Sequence, residues 1–215
     1  MPTSPALRSL APLLAAAALL APAAPTLRAQ QLPSTVPAGA TYTAADVAFM
    51  QGMIGHHAQA LTMSALVAER STTPAMALLA ERITVSQQDE IAIMQRWLAE
   101  RRQTVPAAAG GHDAHAMHAM HGASGGASGD TAHTMPGMLS PAQMDSLTTA
   151  RGREFDRLFL RYMIQHHEGA LTMVVDLLKT PGAARDPMVF QFASDVDTDQ
   201  RAEIRRMQTM LASLS

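Results

Sequence analysis

The sequence contains no cysteine, and this absence removes several functional classes at once. Disulfides, thiolate zinc sites, iron–sulfur clusters and a cysteine nucleophile are all excluded. Aromatic residues are also scarce, with 5 Phe, 2 Tyr and 1 Trp among 215 residues, whereas Met occurs 16 times. Because the thioether of Met is both a flexible core filler and a soft metal ligand, this excess is the first indication of function.

The sequence also lacks an excess of either charge and the common catalytic patterns. There are 16 Lys and Arg against 18 Asp and Glu, and no basic block occurs, so we expect no nucleic-acid partner. The P-loop and dinucleotide-binding patterns are absent. No Glu is followed by His three residues later, which argues against the di-iron sites of helical bundles. We therefore expect a binding protein rather than an enzyme.

Residues 1–29 have the pattern of a signal peptide, because Arg8 precedes a short apolar run rich in Ala and Leu, and small residues near Ala29 suit cleavage. The run is short for a membrane span and contains Pro12 and Pro22, so an uncleaved anchor is the weaker alternative. We expect a periplasmic or secreted protein without stable membrane insertion after cleavage. Its mature chain begins with a flexible segment, residues 30–42.

One sequence pattern occurs twice. Phe49–Met63 and Phe159–Met173 share F-x3-M-I-x-H-H-x2-A-L-T-M, and Gln87–Leu98 resembles Gln200–Leu211. Helical periodicity and helix-start residues accompany both copies, and no stretch alternates like a strand. The repeating unit is therefore a pair of helices. We predict an all-α fold in which two antiparallel hairpins, residues 43–103 and 140–215, pack as one four-helix bundle.

Residues 104–139, between the hairpins, are rich in Ala, Gly, Ser, His and Met and lack an apolar stripe, which predicts a flexible linker. A tract of this composition favours loose capture of metal, and a merely solvated low-complexity segment is the alternative. The candidate linker ligands are His112, His115, Met117, His118, Met120, His121, His133, Met135 and Met138.

Each hairpin places a His-His pair on its inward face. On the first helix, the 3.6-residue period puts His56 and His57 in one mostly apolar arc with Met53 and Met63. The third helix repeats this arc with Met163, His166, His167 and Met173. The second and fourth helices carry polar residues within their apolar stripes, at a level that antiparallel folding brings close to the His pairs. We expect these residues to support the imidazoles as hydrogen-bonding partners behind the metal ligands: Gln87, Glu90, Gln200 and Glu203.

Such a ligand set is soft and neutral. It favours copper, first as Cu(I) and then as Cu(II), with silver as a mimic and zinc or nickel as further alternatives. Ca²⁺ and Mg²⁺ prefer oxygen ligands and fit poorly. The expected partners are metal ions and a copper-handling protein. Two other interpretations stay open: a structural or interaction module whose buried His–Glu pairs only specify packing, and a metal-dependent redox enzyme.

These residues together resemble the family of domain of unknown function 305 (DUF305), including its CopM-like copper-binding members. The resemblance rests on the doubled M-I-x-H-H-x2-A-x2-M pattern, on Gln87-x2-Glu90-Ile91-x2-Met94-x2-Trp97 and on Pro136-Gly137-Met138, and covers roughly residues 43–212. It implies a ferritin-like four-helix bundle, exported to the periplasm or cell surface, that sequesters or shuttles copper for metal tolerance. The metal-binding positions it implies are Met53, His56, His57, Met63, Met163, His166, His167 and Met173.

Overall fold

A computed structural model describes residues 36–108 and 135–214. The predicted signal peptide lies outside these residues, and so do seven of the candidate linker ligands: His112, His115, Met117, His118, Met120, His121 and His133. The regular structure of the described residues is helical throughout, which confirms the predicted all-α class. None of the described helices is both long and apolar enough to cross a membrane.

The first hairpin begins at the predicted capping box. Helix α1 spans Ala44–Ala65, and the Thr43 hydroxyl accepts from the Asp46 backbone N–H while the Asp46 carboxylate accepts from the Thr43 N–H at 2.7 Å. The hydrogen bonding tightens at Leu66, whose N–H bonds the carbonyl of Met63 three residues earlier, and the short helix α2 continues over Val67–Arg70. Helix α3 spans Pro74–Glu100, with proline in its first turn as expected, and packs against α1.

The second hairpin follows a short helix. Helix α4 spans Pro141–Thr149 and opens with a capping box between Ser140 and Gln143. Helix α5 spans Gly152–Lys179, and helix α6 spans Pro187–Ser213 behind the N-cap Asp186, close to the predicted boundaries. Helix α6 packs on α5, and α5 packs on α1, so the contact between α1 and α5 joins the two hairpins.

The core consists of two apolar clusters with a polar layer between them. The first apolar cluster includes Phe49, Trp97 and Phe192, and the second includes Phe155 and Met207. Each of the four long helices passes from one cluster to the other, and its apolar stripe is interrupted once, between the clusters, by polar residues. We call those residues the histidine layer; its members are His56, His57, Gln87, Glu90, His166, His167, Gln200 and Glu203.

The end of the predicted N-terminal flexible segment is packed rather than free. Tyr42 is 9% exposed and meets the Trp97 ring edge-on, with ring centroids 5.3 Å apart. The guanidinium of Arg101 lies over the same two rings and also donates to the Asp186 carboxylate at 2.8 Å. An ion pair and three ring contacts therefore link the start of α1, the end of α3 and the start of α6.

Residues 135–139, which the sequence analysis includes in the linker, also pack against the helices; we call them the strap. The side chain of Gln59 bonds both the N–H and the carbonyl of Leu139, at 2.8 and 3.2 Å, and the Gln165 amide donates to the Gly137 carbonyl at 3.3 Å. Gly137 and Gly169 bring two backbones into direct contact. Apart from Leu139, which is buried in the second apolar cluster, the anchoring uses backbone groups and glycines, so it leaves no apolar periodicity that would have predicted it.

Candidate metal centre

Four imidazole rings from α1 and α5 occupy one level of the core. Each of His56, His57, His166 and His167 is at most 1% exposed. The two central rings, His56 and His166, face each other across the α1–α5 contact with centroids 3.8 Å apart and planes tilted by 37°. The centroids within each sequence-adjacent pair lie 6.5 and 6.2 Å apart, so one ring of each pair is central and the other is outer.

Each outer ring is bound to a carboxylate of the neighbouring helix in its own hairpin. His57 Nε2 bonds Glu90 Oε2, and His167 Nε2 lies 2.5 Å from Glu203 Oε2. Because a carboxylate accepts, Nε2 of each ring carries the proton, and in a neutral ring the lone pair then lies on Nδ1. Both Nδ1 atoms are buried without a hydrogen-bond partner among the described residues.

The central ring of α1 is oriented by the strap. His56 Nε2 lies 3.0 Å from the carbonyl oxygen of Pro136, which can only accept, so Nε2 is the donor and Nδ1 keeps the lone pair. That Nδ1 is also buried without a partner in the described part of the chain. The central ring of α5 differs, since neither nitrogen of His166 has a partner with full hydrogen-bond geometry there, and only a weak approach to the His56 backbone opposes the fall in its pKa.

The atoms left without partners are concentrated in this layer. In the described residues, ten buried side-chain N and O atoms lack a hydrogen bond, and seven of them belong to the histidine layer. These are five imidazole nitrogens together with Oε1 of Gln87 and Oε1 of Gln200. Each such atom costs about 1–3 kcal/mol. A fold that concentrates this cost at one level is arranged like a ligand-binding site rather than a well-packed core.

Burial keeps the central rings neutral. It lowers the pKa of His56 to about 3, aided by repulsion from His57 and opposed by the hydrogen bond to Pro136. The pKa of His166 is held well below its usual 6.5 by burial first and then by the neighbouring histidines. Their lone pairs therefore remain available at neutral pH, which metal ligation requires.

Carboxylates gather beside the outer rings. Burial raises the pKa of Asp199, and the nearby charges of Glu90, Asp195 and Glu203 raise it further. This acidic group on α3 and α6 lies next to the two His–Glu pairs. Antiparallel folding predicts Asp199 at the level of His167, but of these carboxylates only Glu90 and Glu203 were predicted as partners of the imidazoles, because they lie on the apolar stripes.

The four predicted bundle methionines lie on both sides of the histidine layer. Met53 is fully buried in the first apolar cluster, Met63 and Met163 are fully buried in the second, and Met173 is half-buried against the first. Met53 lies one helical turn before the first His pair, as Met163 does before the second. Among the described residues, no three His, Asp or Glu side chains form a group that could hold a metal ion.

The family described as "Domain of unknown function (DUF305)" matches residues 46–211. A DUF305 fragment from Deinococcus radiodurans is 31% identical, with a TM-score of 0.63 over 80% of this chain and 98% of that one. A DUF305 protein from Streptomyces coelicolor, classed provisionally as secreted, is 25% identical, with a TM-score of 0.61 over 79% and 93%.

The Cu(II)-bound form of CopM is 27% identical to this chain, with a TM-score of 0.57 over 79% of this chain and 97% of CopM. Solved Cu(I)- and silver-bound forms of CopM are 25% identical, with TM-scores of 0.56 and 0.55. Among curated proteins, the uncharacterized protein L153 of Acanthamoeba polyphaga mimivirus is 42% identical over 57 residues. That match spans 26% of this chain and 38% of the viral protein.

Proposed function

The chain belongs to the DUF305 family, and we propose that it is an exported copper-binding protein that sequesters or shuttles the ion for metal tolerance, rather than an enzyme. The observation on which this rests most directly is the set of five imidazole nitrogens without partners in the histidine layer. Three of those nitrogens are the lone-pair atoms of rings whose other nitrogen is fixed by Glu90, Glu203 or Pro136. Carboxylate and carbonyl partners of this kind orient the ligating imidazoles of metal sites.

The donor chemistry favours a soft monovalent ion. Neutral imidazole and thioether are the ligands that Cu(I) prefers, and Ag(I) resembles Cu(I) in this respect. A linear or trigonal site made of such donors needs no cluster of three histidines or carboxylates. His56 and His166 are stacked at 3.8 Å across the α1–α5 contact, so ligation of a shared ion would require both rings to turn and move apart until one nitrogen of each points at it. Met53 and Met163 supply thioethers one turn away.

The relatives support the same proposal. CopM has been solved with Cu(II), Cu(I) and silver, and this chain resembles those forms over more than three quarters of its length. Export follows from the signal-peptide pattern of residues 1–29 and agrees with the description of the Streptomyces relative. We further propose that α1, α3, α5 and α6 form a ferritin-like four-helix bundle, with residues 109–134 as an additional His- and Met-rich capture segment.

A Cu(I) titration of the full chain against a chromophoric chelator tests the proposal. We expect binding tighter than micromolar. Replacing both central histidines (His56→Gln with His166→Gln) should weaken the tightest site by about 100-fold or more, since even changes behind the ligands cost 10–100-fold. The matched control replaces two linker histidines (His115→Gln with His118→Gln) and should reduce only the total amount of copper bound.

Two results would count against the proposal. Affinity no tighter than micromolar would refute copper binding as the function. Unchanged tight binding in the His56/His166 double variant would remove the histidine layer from the site. If that variant instead kept its copper and lost its helical circular dichroism signal, the buried histidines would serve packing, as in a structural module.

A further inference from the structure

Two methionines from distant parts of the chain pack against the face of α1 that carries Gly52 and Gly55. A Cβ built on Gly52 would lie 3.4 Å from the sulfur of Met135 and 3.4 Å from the terminal methyl of Met173. A Cβ on Gly55, one turn later, would lie 3.5 Å from the Met135 methyl. Both side chains therefore reach the same glycine, Met135 with its sulfur and Met173 with its terminal methyl; both are half-buried, and Met173 also packs against the edge of the first apolar cluster.

The backbone of Met135 is held in place because the rest of the strap, which follows it directly, is anchored to the helices. The next residue, Pro136, accepts the hydrogen bond from His56, and the following ones are held by Gln165 and Gln59. The backbone of Met135 is thus one residue from the group that orients a central imidazole. A methionine with three rotatable bonds on a fixed backbone can move its sulfur locally without leaving this face.

The second repeat has no equivalent of this arrangement. At the position that matches Gly52 it has Tyr162, whose hydroxyl bonds Ser146 in α4. At the position that matches Gly55 it has Gln165, whose side chain bonds Gln143 and the Gly137 carbonyl of the strap. Met63, which matches Met173, is fully buried in the second apolar cluster. The two repeats therefore differ where Met135 and Met173 reach the same partly exposed face of α1. Core filling accounts for the packing of Met173 on the first apolar cluster but not for Met135, which belongs to neither cluster.

We propose that Met135 and Met173 form a second soft-metal site, separate from the histidine layer, that takes up Cu(I) or Ag(I) at the protein surface through two thioethers. This inference rests on the proposed function. The site lies on the same side of α1 as the strap, so an ion bound there is next to the segment that orients His56. Thioethers do not titrate, so this edge site keeps its ligands at acidic pH.

Methionine oxidation resolved by residue tests the site. The full chain is incubated with silver nitrate in chloride-free buffer, oxidised briefly with hydrogen peroxide, and digested for mass spectrometry of each sulfoxide. With Ag(I) about tenfold above its dissociation constant, mass action predicts that Met135 and Met173 oxidise about tenfold more slowly. Met138 in the strap and the exposed Met188 should oxidise at unchanged rates.

Two matched variants separate a shared site from independent ones. Met135→Leu keeps the side-chain volume and should abolish the Ag(I) protection of Met173, whereas Met138→Leu should leave it intact. Protection of Met173 that persists in Met135→Leu would overturn the inference. Lack of protection in the unaltered chain, with silver binding that still depends on His56 and His166, would overturn it while leaving the proposed function in place. Absence of tight silver or copper binding would refute both.

Discussion

Replacing the central histidine of α5 with leucine is expected to stabilise the metal-free protein. His166 is 1% exposed, and both of its ring nitrogens lack a partner in the described residues. Two such nitrogens cost about 1–3 kcal/mol each. His166→Leu removes that cost. It also loses the stacking on His56, about 0.5–1.5 kcal/mol, and up to about 1.5 kcal/mol because the leucine side chain fits the space of the ring imperfectly. The balance is a rise of about 2 kcal/mol in the free energy of unfolding.

The neighbouring residue provides a control of opposite sign. His167 is equally buried, but its Nε2 bonds Glu203, so His167→Leu leaves a largely buried carboxylate without its partner. We expect that variant to lose about 1–3 kcal/mol. For a domain of this size, 1 kcal/mol shifts the melting temperature by about 2–4 °C. His166→Leu should therefore melt about 4–8 °C above the unaltered protein, and His167→Leu below it.

Chelator-treated protein is unfolded in urea and by heat, and the measurements are repeated with Ag(I). At a hundredfold excess over the dissociation constant, a bound ion adds about 2.7 kcal/mol to the stability of the unaltered chain. His166→Leu should gain much less, because one central ligand is missing. If His166→Leu destabilises the metal-free protein, its ring contributes to packing, and the reasoning that treats it as a ligand held at the expense of stability is refuted.

Two further predictions concern the contacts that hold the site in place. Asp186→Asn should lower the free energy of unfolding by about 1.5–3 kcal/mol, because it removes the ion pair with Arg101. Burial raises the pKa of Asp186, but hydrogen bonds from Arg101 and the α6 backbone lower it below 3.8 overall. In urea unfolding the difference between the two proteins should therefore be full at pH 6 and shrink below about pH 4, and a pH-independent difference would contradict this. Gly169→Ala would set a Cβ 2.0 Å from the Pro136 carbonyl oxygen and should cost about 2 kcal/mol or more of stability. The control Gly55→Ala, whose Cβ has its nearest contact at 3.5 Å, should be neutral or stabilising by up to about 1 kcal/mol. Equal effects of the two variants in thermal unfolding would argue against a packed strap.

Local patterns predicted the helices well because each boundary has its own chemistry. Thr43 and Asp46 form the expected capping box, and Asp186 caps the helix whose first residue is proline. The level of the His–Glu pairs also followed from the sequence, since in an antiparallel hairpin the distance from the turn fixes which residues face each other. His57 and Glu90 meet for this reason.

Features that depend on backbone groups or on contact between the hairpins were not predictable. The carbonyl of Pro136 that orients His56 has no side chain to identify it. The close approach of Gly137 and Gly169 is visible only when both segments are in place, so the composition of the strap predicts a flexible linker. Which histidine of each pair is central depends on the rotation of α1 against α5, and helical periodicity within one segment cannot fix that rotation.

The histidine layer is proposed to be the part of the protein that binds the metal. Long-range ¹H–¹⁵N correlation spectra resolve both ring nitrogens of each histidine and can be recorded before and after one equivalent of Ag(I) is added to the full chain. We predict metal-induced shifts at Nδ1 of His56 and at one nitrogen of His166, while Nε2 of His57 and Nε2 of His167 stay protonated against their glutamates. Shifts confined to the linker histidines, with the four buried rings unchanged, would contradict the account.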